Sequence, residues 1–341
     1  MFNPKYEITG ELLTNIKRIT AIKTELNQKK YPDVVLMEYA RRARGISSHT
    51  STRIEGNMLP LTEVKRILKV RPEHLRDSER EVINYNDALI WLANGLIKRD
   101  FRITTSLVKE IHKKVMDGLL PKYNIGNFRS EPVQLSEPSG GGVIYLPPDA
   151  KDVDMLINDL IEFVDNNQGK LDAAILAGLV HKQFVIVHPF IDGNGRTARL
   201  LSKILLAGLG VDTFNLFSFE NYYNKNVTKY FLKVGVFGDY YEKKDYIDFT
   251  EWLTYFTEGI VDELLRVKGE LDKEDITPGK KLPEHLKRII AYIEKNGFIN
   301  DSIYSKLTKR AKATRTLDFK KLISLGLIKR FGKGKKTFYR F

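Results

Sequence analysis

The chain of 341 residues contains no cysteine. That excludes a disulfide framework, a thiolate metal site and a cysteine nucleophile. Also missing is any apolar run near the roughly 18 residues that mark a membrane-spanning helix. The opening residues, Met1-Phe2-Asn3-Pro4-Lys5-Tyr6, lack the charged-then-apolar layout of a secretory signal. The expectation is a cytoplasmic protein with no membrane partner. Tryptophan occurs twice, as Trp91 and Trp252, each in apolar helical surroundings that suggest core positions.

The remaining composition is that of a globular chain, 42% hydrophobic and 29% charged, long enough for two or three domains. Its net charge of +13 is unevenly spread: residues 276–341 hold 18 Lys and Arg against 4 Asp and Glu, while the rest holds 38 against 39. A near-neutral body therefore carries a strongly basic C-terminal module, which suggests a nucleic-acid or other polyanionic partner for that module alone.

Apolar residues recur at helical spacing through most of 8–270, so the body reads as mainly α. Leu12, Ile16, Ile19 and Ile22 mark one amphipathic stretch, and Val82, Tyr85, Ala88, Leu89 and Leu92 another. A third, from Leu107 to Met116, ends at Gly118. Two short extended runs, Phe128–Val133 and Val143–Leu146, flank the turn-rich Ser136–Gly142 and predict a loose hairpin closed by Pro147-Pro148. Residues 171–187 predict a buried helix, stopped by Pro189. A second apolar helix is predicted from near Thr197 to Gly208. Beyond a linker at 277–281, three helical patterns and two short strands around a glycine turn follow the order of a winged helix-turn-helix.

Chemistry concentrates in the break between the two apolar helices, at residues 188–199. A Gly-containing turn leading into a fresh helix N-terminus leaves backbone N–H groups converging on one spot, which makes an anion site. Arg196 and Arg199, three residues apart, can reach the same anion with bidentate guanidinium groups. Asp192 would repel phosphate unless a cation intervened, and a carboxylate shared with phosphate oxygens is the usual seat of Mg²⁺. His188 is the general-base candidate within reach. These parts point to phosphoryl or nucleotidyl transfer. His181, two helical turns before His188, reads as structural, since no His-Glu-x-x-His zinc pattern is present.

The run His188-Pro189-Phe190-Ile191-Asp192-Gly193-Asn194-Gly195-Arg196-Thr197-Ala198-Arg199 resembles the signature of Fic-domain proteins, His-Pro-Phe-x-Asp/Glu-Gly-Asn-Gly-Arg-x-x-Arg, and matches it at every defined position. The resemblance implies a Fic helical core with a β-hairpin flap, acting as a protein adenylyltransferase with ATP as substrate and Mg²⁺ as cofactor. By that likeness His188 takes the proton of the incoming hydroxyl and Asp192 holds Mg²⁺. Gly193, Asn194, Gly195, Arg196 and Thr197 cradle the phosphates, and Arg199 reaches the γ-phosphate. Attack on the α-phosphorus would release pyrophosphate and leave AMP on a Ser, Thr or Tyr of a target protein, or of the chain itself. Residues 128–148, with Val143, Ile144 and Tyr145, fit the family's flap, and Tyr230 with Phe231 falls where relatives place aromatic residues beside adenine. Tyr222 and Tyr223 are rival candidates for that stacking, and a core position is an equal reading for all four.

Ser51-Thr52-Arg53-Ile54-Glu55-Gly56-Asn57 resembles the family's inhibitory motif, Ser/Thr-x-x-x-Glu-Gly/Asn, with Ser51, Glu55 and Gly56 at the defined positions. The resemblance implies that Glu55 pairs with Arg199 and takes the place of the γ-phosphate. The expected domains are then 1–100, helical and inhibitory; 101–270, catalytic; and 276–341, a winged helix-turn-helix that takes DNA or protein. The same residues are compatible with AMP removal, with transfer of another nucleotide, or with a nucleotide-sensing DNA-binding regulator. A homodimer is a further expectation left open by the sequence.

Overall fold

A computed structural model describes residues 2–98, 102–136, 142–211, 213–273 and 282–341. The tip of the expected hairpin (137–141) and the expected linker (277–281) lie outside these residues.

Helix α1 (Gly10–Gln28) starts where the Thr9 hydroxyl accepts from the Leu12 amide, and it buries Leu12, Ile19, Ile22 and Leu26 against the long α12 (Thr250–Leu271). Between them come α2 (Asp33–Ile54), α3 (Leu61–Val70), α4 (Asp77–Lys98) and α5 (Thr105–Val115). A small sheet is formed by β1 (Leu135–Ser136), β2 (Val143–Leu146) and β3 (Gly238–Asp239), β1 pairing antiparallel and β3 parallel to β2. Helices α6 (Ala150–Asn167), α7 (Ala173–Val187), α8 (Asn194–Leu206), α9 (Glu220–Lys225), α10 (Val227–Val234) and α11 (Tyr240–Lys243) complete this body.

Helix α7 is apolar on all sides because it is the central rod, with α6, α8 and α12 packed around it. Trp252 is fully buried, its indole N–H donating to the Gly178 carbonyl at 2.8 Å. One hydrophobic core runs from Leu12 to Leu271. The boundary expected near residue 100 therefore separates no cores: α1 packs on α12, and α4 packs on α5 and α8.

The chain closes with α13 (Glu284–Asn296), α14 (Asp301–Leu307), α15 (Lys312–Ser324), β4 (Lys329–Phe331) and β5 (Phe338–Arg340). β4 and β5 pair antiparallel, and Ile299 bridges to Tyr339. This module has its own core, including Leu286, Ile289, Ile293, Tyr304, Phe319 and Leu322, against which Val34 and Met37 of α2 pack. Among the described residues no helix is long and apolar enough to cross a membrane.

Two expected elements begin elsewhere. The first strand of the hairpin is 135–136 rather than 128–133, because the Arg129 amide is spent on the Pro189 carbonyl (2.9 Å) instead of a strand partner. Helix α8 begins at Asn194, not Thr197. The Asn194 side chain accepts from the Phe190 amide and donates to the Phe190 carbonyl, both at 2.9 Å, which closes the loop early.

Candidate active site

His188 caps α7 in the left-handed conformation (φ 50°), a geometry rare for a non-glycine residue. Its Nδ1 faces the Val185 carbonyl at 3.3 Å, and a carbonyl can only accept, so Nδ1 carries the hydrogen and Nε2 keeps a free lone pair. Burial, joined by the nearby Arg129 charge, pushes His188 from 6.5 down to about 4. The imidazole is therefore neutral at physiological pH, the state a general base needs.

The loop then turns into α8 through Gly193, which caps the helix at φ 78°. A Cβ there would meet the Met116 side chain at 2.7 Å, so glycine serves both the turn and the close approach of α5. Gly195, one position into α8, lies directly under the Glu55 carboxylate. Asp192 is half exposed. Its Oδ1 accepts from the Gly193 amide (2.5 Å) and lies 3.1 Å from Arg196 Nη2.

Arg196 and Arg199 are each 2% exposed and are held by carboxylates. Arg196 meets Glu81 of α4 at 2.9 Å and Asp192 at 3.1 Å. Arg199 meets Glu55 at 2.8 Å, and its Nε donates to the Ser51 hydroxyl at 2.7 Å. Glu55 is the C-cap of α2, followed by Gly56, so two of the three expected inhibitory positions, Ser51 and Glu55, meet Arg199. Some buried donors have no partner among the described residues: Arg196 Nε, Arg199 Nη1 and Thr197 Oγ1. Buried N–H groups left unpaired are costly, and two of them lie here on neighbouring guanidinium groups.

Tyr230 lies in the core, one of the two positions the sequence left open for it. It is 1% exposed, packed against Tyr223 and Trp252, and its hydroxyl meets His181 Nε2 at 2.9 Å. His181 in turn meets Ser202 at 2.8 Å, so both residues belong to the interior under Arg199. Burial raises the Tyr230 phenol to about 12. The reason is the amphipathic α10, which turns Tyr230 and Val234 inward and leaves Phe231 and Leu232 outside. Tyr223 is likewise buried, and Tyr222 is tied to Glu258 at 3.0 Å. On the hairpin, Tyr145 is buried with its hydroxyl on the Ile186 carbonyl, whereas Val143 is exposed and Ile144 half-buried.

Three positioning residues escaped the sequence. Arg129, 4% exposed, donates to the carbonyls of His188 (2.8 Å), Pro148 (2.5 Å), Glu131 (3.2 Å) and Val187 (3.4 Å). It thus ties the hairpin's base to the end of α7. His112 stacks on Phe190 and accepts from the Gly126 amide at Nδ1, so its Nε2–H donates to the Asp192 carbonyl at 3.0 Å. Glu81 accepts from Arg196 and from Asn57, the residue that ends the inhibitory stretch. Deeper still, Glu220 gathers Tyr85 (2.8 Å), Ser47 (3.0 Å) and Lys203 (3.2 Å) in a buried polar cluster.

Residues 102–206 match the pattern of the Fic/DOC family. The chain is 28% identical over 227 residues to a protein named Protein adenylyltransferase Fic from Aedes aegypti, covering 61% of this chain and 43% of that one. Over 164 residues it is 30% identical to a protein of the same name from Nematostella vectensis, covering 47% and 36%. The chain thus spans less than half the length of these relatives. Its fold is shared with a Fic family protein from Desulfovibrio desulfuricans G20, with a TM-score of 0.64 and 19% identity over 100% of this chain and 98% of the other. It is shared also with a Fic domain containing signaling protein from Bacteroides thetaiotaomicron, with a TM-score of 0.62 over 77% of this chain. Residues 102–206 thus resemble the Fic/DOC family, the named relatives resemble the chain over part of their length, and the fold is one that Fic proteins share.

Proposed function

We propose that this site transfers AMP from ATP to a hydroxyl side chain of a protein, and that Glu55 holds it off. The observation that carries the reading is the pair of unpartnered guanidinium donors on Arg196 and Arg199, within a loop whose His188 is neutral and free at Nε2. In this reading His188 Nε2 takes the proton of the target hydroxyl. The oxygen bonds to the α-phosphorus, the bond to the β-phosphate oxygen breaks, and pyrophosphate leaves. Amides of Asn194 and Gly195, with Gly193 at the turn and Thr197, line the phosphate cradle at the start of α8.

Glu55 inhibits because its carboxylate sits on Arg199 where a phosphate is needed, and it repels that phosphate. Among the described residues no cluster of three or more acidic or His side chains could hold a metal unaided. Mg²⁺ characteristically binds through one or two carboxylates together with substrate phosphates, which suits the half-exposed Asp192. Bound there, the ion would offset charge on the phosphates. The hairpin of β1 and β2 is read as the flap that presents the target segment, and residues 282–341 as a winged helix-turn-helix, supported by their order of helices and strands.

The test is transfer of label from α-labelled ATP by wild type, Glu55→Gly and Glu55→Gly/His188→Ala. Label with Glu55→Gly, lost in the double variant, supports transfer and both roles. No label in any variant, with ATP still bound, overturns the reading in favour of AMP removal or nucleotide sensing.

A further inference from the structure

The C-terminal module lends no residue to the 188–199 loop, yet it carries nearly all the net charge. Its carboxylates are spent. Glu294 pairs with Arg44 of α2 at 2.5 Å, and Asp318 with Arg310 at 2.9 Å. Asp301 pairs with Arg315 at 2.8 Å, and Glu284 lies 3.4 Å from Lys287. Basic side chains face solvent together on one stretch: Lys312, Lys320 and Lys321 on α15, with Lys329, Arg330, Lys333 and Lys336 on β4 and the following turn. Leu317, on the same helix, is 62% exposed, so the face of α15 that turns away from Phe319 and Leu322 is open among the described residues. An α-helix with its side chains is about 10–12 Å across and the DNA major groove about 12 Å wide. A lysine-bearing helix beside a lysine-bearing hairpin therefore fits a duplex, with the lysines on phosphates.

Other residues of the module dock on α2. The Leu282 amide and Lys287 both reach Asp33, Glu294 reaches Arg44, and the Arg41 guanidinium lies 4.6 Å over the Phe341 ring. Phe341 directly follows β5, so the hairpin itself ends on α2. The same uninterrupted helix carries Ser51 and ends at Glu55. Its first half lies between the two cores, Val34 and Met37 on the module and Val35, Leu36, Tyr39 and Ala40 on the main body, and its second half, Ser47–Thr52, is buried in the main core.

We propose that residues 282–341 bind duplex DNA, and that α2 links the bound duplex to the Glu55–Arg199 pair. The second half of this inference rests on the inhibitory reading of Glu55. A bound duplex reorients or firms the module on α2, and a rigid helix passes that change to its far end. Linkage is reciprocal, so breaking the pair changes duplex affinity as well.

The experiment uses the full chain and a labelled mixed-sequence duplex of 20 base pairs. Expected are binding that weakens steeply between about 50 and 200 mM salt, and a loss of about ten-fold or more with Lys320→Glu/Lys321→Glu. No binding at low salt, or binding indifferent to salt and to these substitutions, overturns the DNA assignment and gives the face to a protein partner. For the link, saturating duplex is expected to change AMP transfer by wild type about five-fold or more and to leave Glu55→Gly unchanged. Duplex affinity should differ between wild type and Glu55→Gly. Equal rates with and without duplex, together with equal affinities, overturn the link. Absence of transfer even in Glu55→Gly overturns the adenylyl-transfer reading instead, and the affinity comparison still reads the link.

Discussion

Glu55 Oε1 lies 2.8 Å from Arg199 Nη2, and Ser51, one helical turn earlier, accepts from Nε of the same guanidinium. The arginine is thus gripped twice by the end of α2. Glu55→Gly is expected to raise AMP transfer by about ten-fold or more, since ~1.4 kcal/mol of latch already changes the open population tenfold. His188→Ala on that background should lower it by a factor of about 10² to 10⁴, the usual worth of a positioned base. Steady-state transfer of label measures both.

Arg129 holds the carbonyls at the end of α7 and the base of the hairpin together. Arg129→Met removes those donors and strands buried carbonyls, at a cost of about 1–3 kcal/mol each where water does not replace them. On the Glu55→Gly background, kcat should fall more than KM rises, because His188 loses its position while the phosphate cradle stays. Lowered melting temperature with unchanged kcat would reduce Arg129 to a structural role.

Buried histidines make the fold sensitive to acid. Burial lowers His112 to about 4 and His181 to about 3, against an ordinary 6.5. Between those limits the unfolded chain binds protons that the folded chain refuses, so stability is complete above about pH 6.5 and drains away as pH falls toward 4, by up to ~1.4 kcal/mol per pH unit per histidine. Urea titrations from pH 7.5 to 5 test this, and His112→Gln should shallow the slope.

Glu220→Ala should destabilise by about 3–5 kcal/mol, because Lys203 would be left buried without its carboxylate. Chemical denaturation reads the loss. A cost below about 1 kcal/mol would mean that water enters the cluster.

What the sequence disclosed follows chain proximity. His188, Asp192, Asn194, Arg196 and Arg199 lie within twelve residues of one loop and helix start, so their chemistry could be read in line, and the mainly helical body followed from periodicity. Glu55 was legible only through its own short motif. Arg129, His112 and Glu81 were not, because each acts on a backbone carbonyl or guanidinium dozens of residues away. The one local hint was Arg129 within a run read as strand. Tyr230 stayed open between two positions for a related reason: an aromatic pair on a short helix does not say which ring turns inward.

A single missing methyl group at Gly195 joins two otherwise separate properties. Any Cβ there would collide with the Glu55 carboxylate, a flexible group that could swing aside. Alanine at 195 would therefore unseat the brake cheaply, while roofing over the floor on which phosphate is proposed to rest. A substitution at 195 is therefore expected to lose phosphate binding together with the brake, whereas substituting the glutamate on α2 leaves that floor open.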